Sequence, residues 1–228
     1  MEYSPLLAII TGVFEFIAAL FVFSSPGRKR ILYPTGVLLL ILAGYQFLEV
    51  AVCYNPGQLL FARIALFDIT WLPPIAMWLG LQLIATRKKW MAIIPLTYFA
   101  VGLALSVWVM IDPSCVTKSV CEIVIARYIS PNPFDIVYAI YYQSGILVLI
   151  FGTAAGLAYG SDLVLRKHMA NLQVGILGFV LPSLAVRILV SDSSGTTASV
   201  MCHFALILAV SLVFLVFRER RKGSHLNL

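Results

Sequence analysis

The sequence predicts an all-α membrane protein, a bundle of seven transmembrane helices. Of its 228 residues, 61% are hydrophobic and only 11% are charged, and the mean hydropathy is +0.97. A soluble domain has about 25% charged residues, so most of this apolar surface is expected to face lipid. Seven apolar stretches, each close to the roughly 20 residues that cross a bilayer, follow one another along the chain.

Short polar connections separate these stretches, so consecutive helices are expected to be antiparallel neighbours. Together they make residues 1–217 a single transmembrane domain, followed by a short basic tail at 218–228. The predicted spans are Pro5–Phe23, Pro34–Cys53, Leu59–Ala85, Met91–Ile111, Ile136–Tyr159, Asn171–Val190 and Ala198–Phe217.

The positive charges indicate how the bundle is oriented. Twelve of the 16 Lys and Arg residues fall in four short segments, each after an odd-numbered span. The positive-inside rule places such segments in the cytoplasm, so the N terminus is expected outside and the C terminus inside, in the cell's inner membrane. Anionic lipid headgroups, and not nucleic acid, are the expected partners of these charges. The segments are Arg28–Arg30, Arg87–Lys89, Arg166–Lys167 and Arg218–Lys222.

The connection between the fourth and fifth spans, residues 112–135, is the longest one. Its alternating apolar residues favour a short hairpin or lid over the outer mouth of the bundle. Cys115 and Cys121 lie in this connection and are candidates for a disulfide on the oxidising face of the membrane, with two free thiols as the alternative. Cys53, at the end of the second span, is expected to be a core-packing thiol.

The third span is the most unusual of the seven, because it carries Arg63, Asp68 and the pair Pro73 and Pro74. A charge near the bilayer centre costs about 2.5–3.5 kcal/mol or more unless it finds a partner or water. A proline pair removes backbone donors and kinks a helix. We therefore interpret this span as a wall of a polar pocket, with Pro73 and Pro74 as the kink that switches.

Glu49 and Arg63 are expected at similar depth, because only residues 54–58 connect their spans. An ion pair between them is the simplest expectation; it either clamps the two helices or leaves Arg63 partly free for an anionic ligand group. Asp68 lies about 140° round the helix from Arg63 and either stays neutral or meets water, His203 or an arginine. The predicted ligand-binding residues are Glu49, Arg63, Asp68, Gln143, Arg187 and His203.

The sequence predicts no enzyme, no resident metal and no cofactor. A retinal protein needs a lysine in its last helix, and the seventh span has none. A seven-helix zinc hydrolase needs several histidine ligands, and of the three histidines only His203 falls within a span. A nucleophile elbow and a phosphate-binding loop are also absent from the sequence.

The run Gln46-Phe47-Leu48-Glu49, followed by Ala62-Arg63 and Leu72-Pro73-Pro74, resembles the N-terminal seven-helix sensor region of prokaryotic membrane histidine kinases. Residues Ile176 to Ile188 are similar to the sixth helix of that region. The resemblance implies a receptor-like bundle that detects a ligand or a membrane state and passes the signal to a cytoplasmic output domain. No output domain follows Lys222, so the resemblance is to a stand-alone form with a separate cytoplasmic signalling partner, or to a form cut before that domain.

The leading hypothesis is a sensor or receptor that binds a small-molecule or lipid ligand, small or amphipathic, in a polar pocket open to the outside. The alternative is a secondary transporter or proton-coupled carrier that uses Glu15 and Asp68 as relay carboxylates. A third hypothesis is a scaffold for proteins or lipids, in which Arg63 and Asp68 serve stability alone.

Overall fold

Eight helices and one short hairpin make up the part of the chain that this computed structural model describes, which is residues 5–55, 57–84, 89–121, 126–130, 133–160, 162–189 and 204–224. The helices are α1 (Leu6–Ser24), α2 (Lys29–Tyr54), α3 (Leu59–Ile69), α4 (Leu72–Leu83), α5 (Ile93–Ile111), α6 (Phe134–Tyr159), α7 (Leu163–Leu189) and α8 (Ala205–Ser224). Single turns of 3-10 helix stand at Lys89–Ala92 and Pro113–Cys115, and the strands are β1 (Lys118–Cys121) and β2 (Ala126–Ile129).

The prediction of a mostly helical chain is confirmed, and several of its helices have the length and hydropathy of a membrane span. Within the described residues, six helices are long and apolar enough to cross a membrane when α3 and α4 are taken as one interrupted helix, Leu59–Leu83. The last helix, α8, is uncharged from residue 205 to residue 217 and then runs into the charged segment that begins at Arg218.

Two helices begin five or more residues earlier than the sequence predicted. α2 starts at Lys29, with Pro34 inside its second turn, and α7 starts at Leu163 and not at Asn171. The start of α7 is fixed by Asp162, whose side chain accepts a hydrogen bond from the backbone N–H of Val164 at 3.0 Å, as a helix-capping aspartate does. The basic residues Lys29, Arg30, Arg166 and Lys167, which were expected in connections, therefore lie in the first turns of helices.

α2 is the central helix of the bundle. It packs against α1, α3, α4 and α8, and its side chains Leu38, Leu39, Leu42 and Tyr45 are completely or almost completely buried. α7 and α8 form a second close pair, because a Cβ atom added at Gly178 would lie only 2.5 Å from Cγ2 of Ile207. The hairpin end of the bundle is defined here by Tyr54, Leu59, Ile111 and Phe134, and the basic end by Lys29, Leu83, Leu163 and Arg218.

A disulfide ties the hairpin to α2. The two strands pair antiparallel, with Cys121 opposite Ala126, and Cys121 is bonded to Cys53 in the last turn of α2. The predicted bond between Cys115 and Cys121 is therefore wrong, as is the expectation that Cys53 is a free core thiol. Cys115 is a buried free thiol whose Sγ lies 3.8 Å from the carbonyl oxygen of Trp108.

The reason for this pairing is the direction of the chain after α5. Cys115 ends the 3-10 turn that caps α5, where its side chain faces the core. The chain then becomes extended and rises about 3.3 Å per residue, which carries Cys121 away from Cys115 and onto the end of α2. Six residues of sequence separation do not reveal this change of direction.

Breaking the disulfide is expected to destabilise the hairpin end. The bond closes a segment of 68 residues, and loops of this size contribute about 2–4 kcal/mol through the unfolded state. We expect Cys53→Ser to lower the thermal unfolding midpoint of the protein in detergent and to make Cys121 reactive toward maleimide. Cys115→Ser is the control, and it should leave the peptide containing Cys53 and Cys121 crosslinked under non-reducing conditions. A crosslinked peptide containing Cys115 would contradict this assignment.

Candidate functional site

The third apolar stretch is interrupted near its middle. α3 ends at Ile69, the chain makes a turn at Thr70 and Trp71, and α4 resumes at Leu72. Pro73 and Pro74 occupy the first turn of α4, a position where proline is tolerated because the first N–H groups of a helix have no partner within it. The interruption therefore comes two residues before the proline pair.

The proline pair leaves the backbone carbonyls of Ile69 and Thr70, at the end of α3 and in the turn after it, without their usual donors. In a continuous helix the N–H groups of residues 73 and 74 would donate to the carbonyls of Ile69 and Thr70, and proline has no N–H. The hydroxyl of Tyr141, on α6, donates to the carbonyl oxygen of Thr70 at 2.8 Å. A side chain from another helix thus replaces the hydrogen bond that Pro74 removes.

A second tyrosine of α6 binds the same region. The hydroxyl of Tyr138 donates to the carbonyl oxygen of Leu66 at 3.2 Å, and the Thr70 hydroxyl donates to that carbonyl at 2.6 Å. The hydroxyl of Tyr141 lies inside the bundle, and because Tyr141 is 71 residues from Thr70 along the chain, the sequence gives no sign that the two are partners.

Small residues let α5 and α6 approach the interruption. A Cβ atom added at Gly145 would lie 2.7 Å from Cβ of Pro73, and one added at Gly102 would lie 2.7 Å from the Tyr141 hydroxyl. The rings of Tyr98 and Tyr141 are 5.5 Å apart between centroids. These contacts hold Tyr141 in the position from which it reaches Thr70.

Arg63, near the start of α3, binds the end of another helix. Its Nε donates to the carbonyl oxygen of Val109 at 2.8 Å, and its Nη2 donates to the carbonyl of Met110, both in the last turn of α5. The last carbonyls of a helix have no partner within it, and positive charge is favourable there. This contact takes the place of the predicted ion pair with Glu49, which is fully buried on α2.

Two further carboxyl groups, those of Asp68 and Glu15, lie inside the bundle. Asp68 is half-buried and faces α2, where its Oδ2 would lie 3.3 Å from a Cβ atom added at Gly44. Glu15 on α1 is fully buried. Within the described residues, the two carboxylate oxygens of Glu15 have no hydrogen-bond partner. The same is true of Oδ2 of Asp68.

The other predicted ligand-binding residues are not gathered around these two. Gln143 is an exposed residue of α6. The side chain of Arg187 and the whole of His203 lie outside the described residues. The structure therefore brings Glu49, Arg63 and Asp68 onto the adjoining helices α2 and α3 and leaves Gln143 on an outer face.

Apolar cavities lie below the interruption, toward the basic end. The central cavity, of about 40 Å³, lies against Pro73 and is otherwise lined by residues such as Leu38, Tyr142 and Phe179. A larger one of about 120 Å³, which we name the basic-end cavity, lies between α4, α5, α6 and α7. Neither is lined by Glu49, Arg63 or Asp68, so the space beside the interruption is apolar.

An ionic cluster that the sequence did not predict closes the basic end. Arg28, just before α2, donates from Nε to Oε1 of Glu219 and from Nη2 to Oε2 at 2.8 Å. Nε2 of His168, on α7, lies 3.6 Å from Oε2 of the same carboxylate, and both Glu219 and His168 are only 2% exposed. The one sequence signal is that Glu219 is a lone acid within a basic segment.

The electrostatics of this cluster favour a charged carboxylate. Burial alone would raise the pKa of Glu219, but the hydrogen bonds and charge of Arg28, with a smaller contribution from His168, outweigh it and hold that pKa below its ordinary value. The hydrogen bond to Glu219 in turn raises the pKa of Arg28. The pair therefore stays ionised and joins the α1–α2 turn to α8.

Comparisons with known proteins do not add to this picture. No protein-family model matches the chain, and no curated protein matches its sequence. The chemistry of the site therefore rests on the residues of the chain itself.

Replacing Glu219 by glutamine is expected to destabilise the protein and to flatten part of its pH profile. Arg28 is one-third exposed, so we expect a loss of about 1–3 kcal/mol, less than for a fully buried pair. Because the folded pKa of Glu219 is depressed, its contribution is complete above its unfolded value, near 4.5, and is lost as the pH falls through the folded pKa.

The measurement is the unfolding midpoint in detergent as the pH is lowered from neutral toward the acid range. The difference between native protein and Glu219→Gln should shrink as the solution becomes more acidic. Asp135→Asn, at an exposed position of the hairpin end, is the matched control and should keep the native midpoint near neutral pH. A difference that stays constant through the acid range would contradict the ionised pair.

Proposed function

We propose that the chain is a seven-helix membrane receptor or sensor, with its N terminus outside and its C terminus in the cytoplasm. In this proposal α8 is the seventh span, after the six helices that meet the length and hydropathy of a membrane span. The observation that carries it is the interruption at Thr70 and Trp71, in the middle of a buried span and held from a neighbouring helix by Tyr141.

The charges and the disulfide support the proposed orientation independently. Arg28 contacts Glu219, and Arg218 donates to the carbonyl oxygen of Lys167 at 2.8 Å, so basic segments distant in sequence meet at one end. Positive charge of this kind favours the cytoplasmic side. The bond between Cys53 and Cys121 is at the opposite end, and disulfides persist in oxidising surroundings.

The interruption is the element that a ligand would bias. When side-chain hydrogen bonds hold a helix at an interruption, the half of the helix after the interruption can adopt two orientations. A ligand that binds one orientation more tightly than the other shifts the equilibrium between them by that difference in affinity. A small or amphipathic ligand that enters from the hairpin end would change the direction of α4. Since α4 packs against α7, and α7 against α8, the change would reach the cytoplasmic end and a signalling partner there.

The resemblance to sensor regions of membrane histidine kinases agrees with this function. The residues that carry it, Glu49, Arg63 and the pair Pro73 and Pro74, stand on the helices around the interruption. Arg63 holds the end of α5 against the start of α3, so these residues build the framework of the switch.

A proton-coupled carrier is the second candidate function, and a specific observation favours it. Glu15 is fully buried, and neither of its carboxylate oxygens has a hydrogen-bond partner in the described part of the chain. Ionisable groups at bilayer depth often belong to proton pathways. Asp68, with one oxygen in the same condition, would be the next group of such a pathway.

One pair of measurements separates the two functions. The protein is stripped of bound molecules, reconstituted in liposomes and given back the organic extract of the membranes from which it came. A receptor should show saturable binding and a change in amide hydrogen exchange of roughly threefold, which corresponds to about 0.6 kcal/mol, in residues 69–76. Residues 93–111 of α5 serve as the internal control and should stay unchanged.

Proton flux in the same liposomes, followed with an enclosed pH-sensitive dye, tests the carrier function. We expect no flux coupled to the extract. Uptake of protons that Glu15→Gln or Asp68→Asn abolishes, and that the exposed Asp135→Asn leaves intact, would establish the carrier and remove the receptor proposal.

A further inference from the structure

One polar side chain of α6 is exposed on the outer surface of the bundle. It belongs to Gln143, which the sequence predicted as a ligand-binding residue. Its polar neighbours make their hydrogen bonds inside the bundle, since the Tyr141 hydroxyl donates to the carbonyl of Thr70 and the Ser144 hydroxyl accepts from Tyr98. In the part of the chain that the structure describes, the Gln143 amide has no hydrogen-bond partner.

In a membrane-spanning α6, Gln143 lies deep in the hydrocarbon layer. The helix has 26 residues and is about 39 Å long at 1.5 Å per residue, and Gln143 is about 5 Å from its midpoint. With a hydrocarbon layer of about 30 Å, Gln143 is about 10 Å from the nearer boundary, farther than a glutamine side chain extends. Acyl chains have no hydrogen-bonding groups, so an amide that faces them without a partner is unfavourable.

The helix that carries Gln143 cannot satisfy its amide. Thr97, an exposed residue of α5, gives the contrast, because its hydroxyl donates to the carbonyl oxygen of Ile93 one turn earlier at 2.9 Å. A glutamine amide has two donors as well as an acceptor, and the backbone groups in the middle of a helix are already paired with each other. A partner for Gln143 therefore has to come from another molecule.

The residues around Gln143 form a regular seam on the outer face of α6. They follow one another at alternating spacings of four and three residues, as the contact positions of a coiled coil do. Ile140 and Leu147, the members on either side of Gln143, are 64% and 52% exposed. A single polar residue in an apolar seam fixes the register of two helices. The α6 seam consists of Ile136, Ile140, Gln143, Leu147, Ile150 and Ala154, all exposed except the half-buried Ile150.

A second copy of this chain has the matching group at the matching depth. Copies inserted in one membrane have the same orientation, so Gln143 lies at the same depth in each. A two-fold axis along the membrane normal brings the two α6 seams together and places Gln143 opposite Gln143 of the second copy. The amide is complementary to itself, because the N–H of one side chain donates to the carbonyl oxygen of the other. Such hydrogen bonds hold membrane helices together.

We propose that the protein forms a two-fold symmetric dimer in the membrane through the α6 seam, with a hydrogen-bonded pair of Gln143 side chains at its centre. The inference rests on α6 crossing the membrane, as in the proposed fold, and not on the receptor function. About 200° round the same helix, Tyr141 binds the carbonyl of Thr70. α6 therefore lies between the dimer contact and the interruption of the third span.

Energy transfer between labelled copies tests the dimer. Protein labelled at its C terminus with a donor or an acceptor dye is reconstituted in phosphatidylcholine liposomes, without membrane extract, and is diluted stepwise with lipid. The native protein should show saturable transfer that unlabelled protein competes away. Gln143→Leu should need about tenfold more protein per lipid for half-maximal transfer, which is about 1.4 kcal/mol. Thr97→Val removes an exposed polar group from α5 and should dimerise as the native protein does.

Disulfide crosslinking shows where the two copies meet. Leu147→Cys, in the α6 seam, should give a crosslinked dimer in liposomes under copper-catalysed oxidation. Leu103→Cys is the matched control on α5, where Leu103 is 56% exposed, and it should stay monomeric. Both variants are made with Cys115 and Cys202 replaced by serine, so that the introduced cysteine is the reactive one.

Protein that stays monomeric at every ratio of protein to lipid would overturn the proposal. Dimerisation of Gln143→Leu as tight as that of the native protein, or crosslinking of Leu103→Cys as extensive as that of Leu147→Cys, would do the same. Gln143→Met has nearly the shape of glutamine without its amide and replaces Gln143→Leu if that variant does not fold by circular dichroism. The receptor function is tested by hydrogen exchange at residues 69–76 in response to the membrane extract, so either proposal fails or stands separately.

Discussion

The hydrogen bond from the Tyr141 hydroxyl to the Thr70 carbonyl is the interaction on which the rest of this bundle depends. Inside a membrane every backbone polar group must find a partner in the protein, and Pro74 removes the one that Thr70 would have within its own helix. Tyr141 supplies it from α6 at 2.8 Å. Because Gly102 and Gly145 have no side chain, the Tyr141 ring and α6 can lie close to the interruption. The need for a donor to the Thr70 carbonyl therefore also explains these small residues of α5 and α6.

α2 is fastened at both of its ends, and the interrupted helix is not. At the hairpin end, the disulfide of Cys53 joins α2 to the strand that carries Cys121. At the basic end, Arg28 joins the start of α2 to Glu219 on α8. In the third span, Arg63 near the start of α3 binds the end of α5, and the second half, α4, packs against α2, α5, α6 and α7 beside the two cavities. α2 is therefore held at its ends by a covalent bond and an ion pair, whereas α4 is held by packing against neighbouring helices.

Hydropathy and the proline pair were enough to predict a mostly helical chain and, to within a few residues, the place where one helix is interrupted, because both depend on local chemistry. Contacts between residues that are far apart in the sequence could not be predicted in the same way. Arg28 and Glu219 are 191 residues apart, and the chain direction after Cys115 decides which cysteine meets Cys53. Arg63 binds backbone carbonyls of α5. Every residue has such a carbonyl, so the sequence does not indicate which one an arginine binds. The start of α7 was misplaced because charged residues in the first turns of a helix look like a connection.

A double-mutant cycle between Tyr141 and Pro74 tests the central interaction most directly. Tyr141→Phe removes the donor to the Thr70 carbonyl, whereas Pro74→Ala returns a backbone N–H that donates to the same oxygen. We expect Tyr141→Phe to destabilise the native protein by about 0.6–1.7 kcal/mol, the range for hydrogen bonds between membrane helices, and to cost much less in the Pro74→Ala background. Equal costs in the two backgrounds, measured by denaturant unfolding, would show that Tyr141 does not compensate for Pro74.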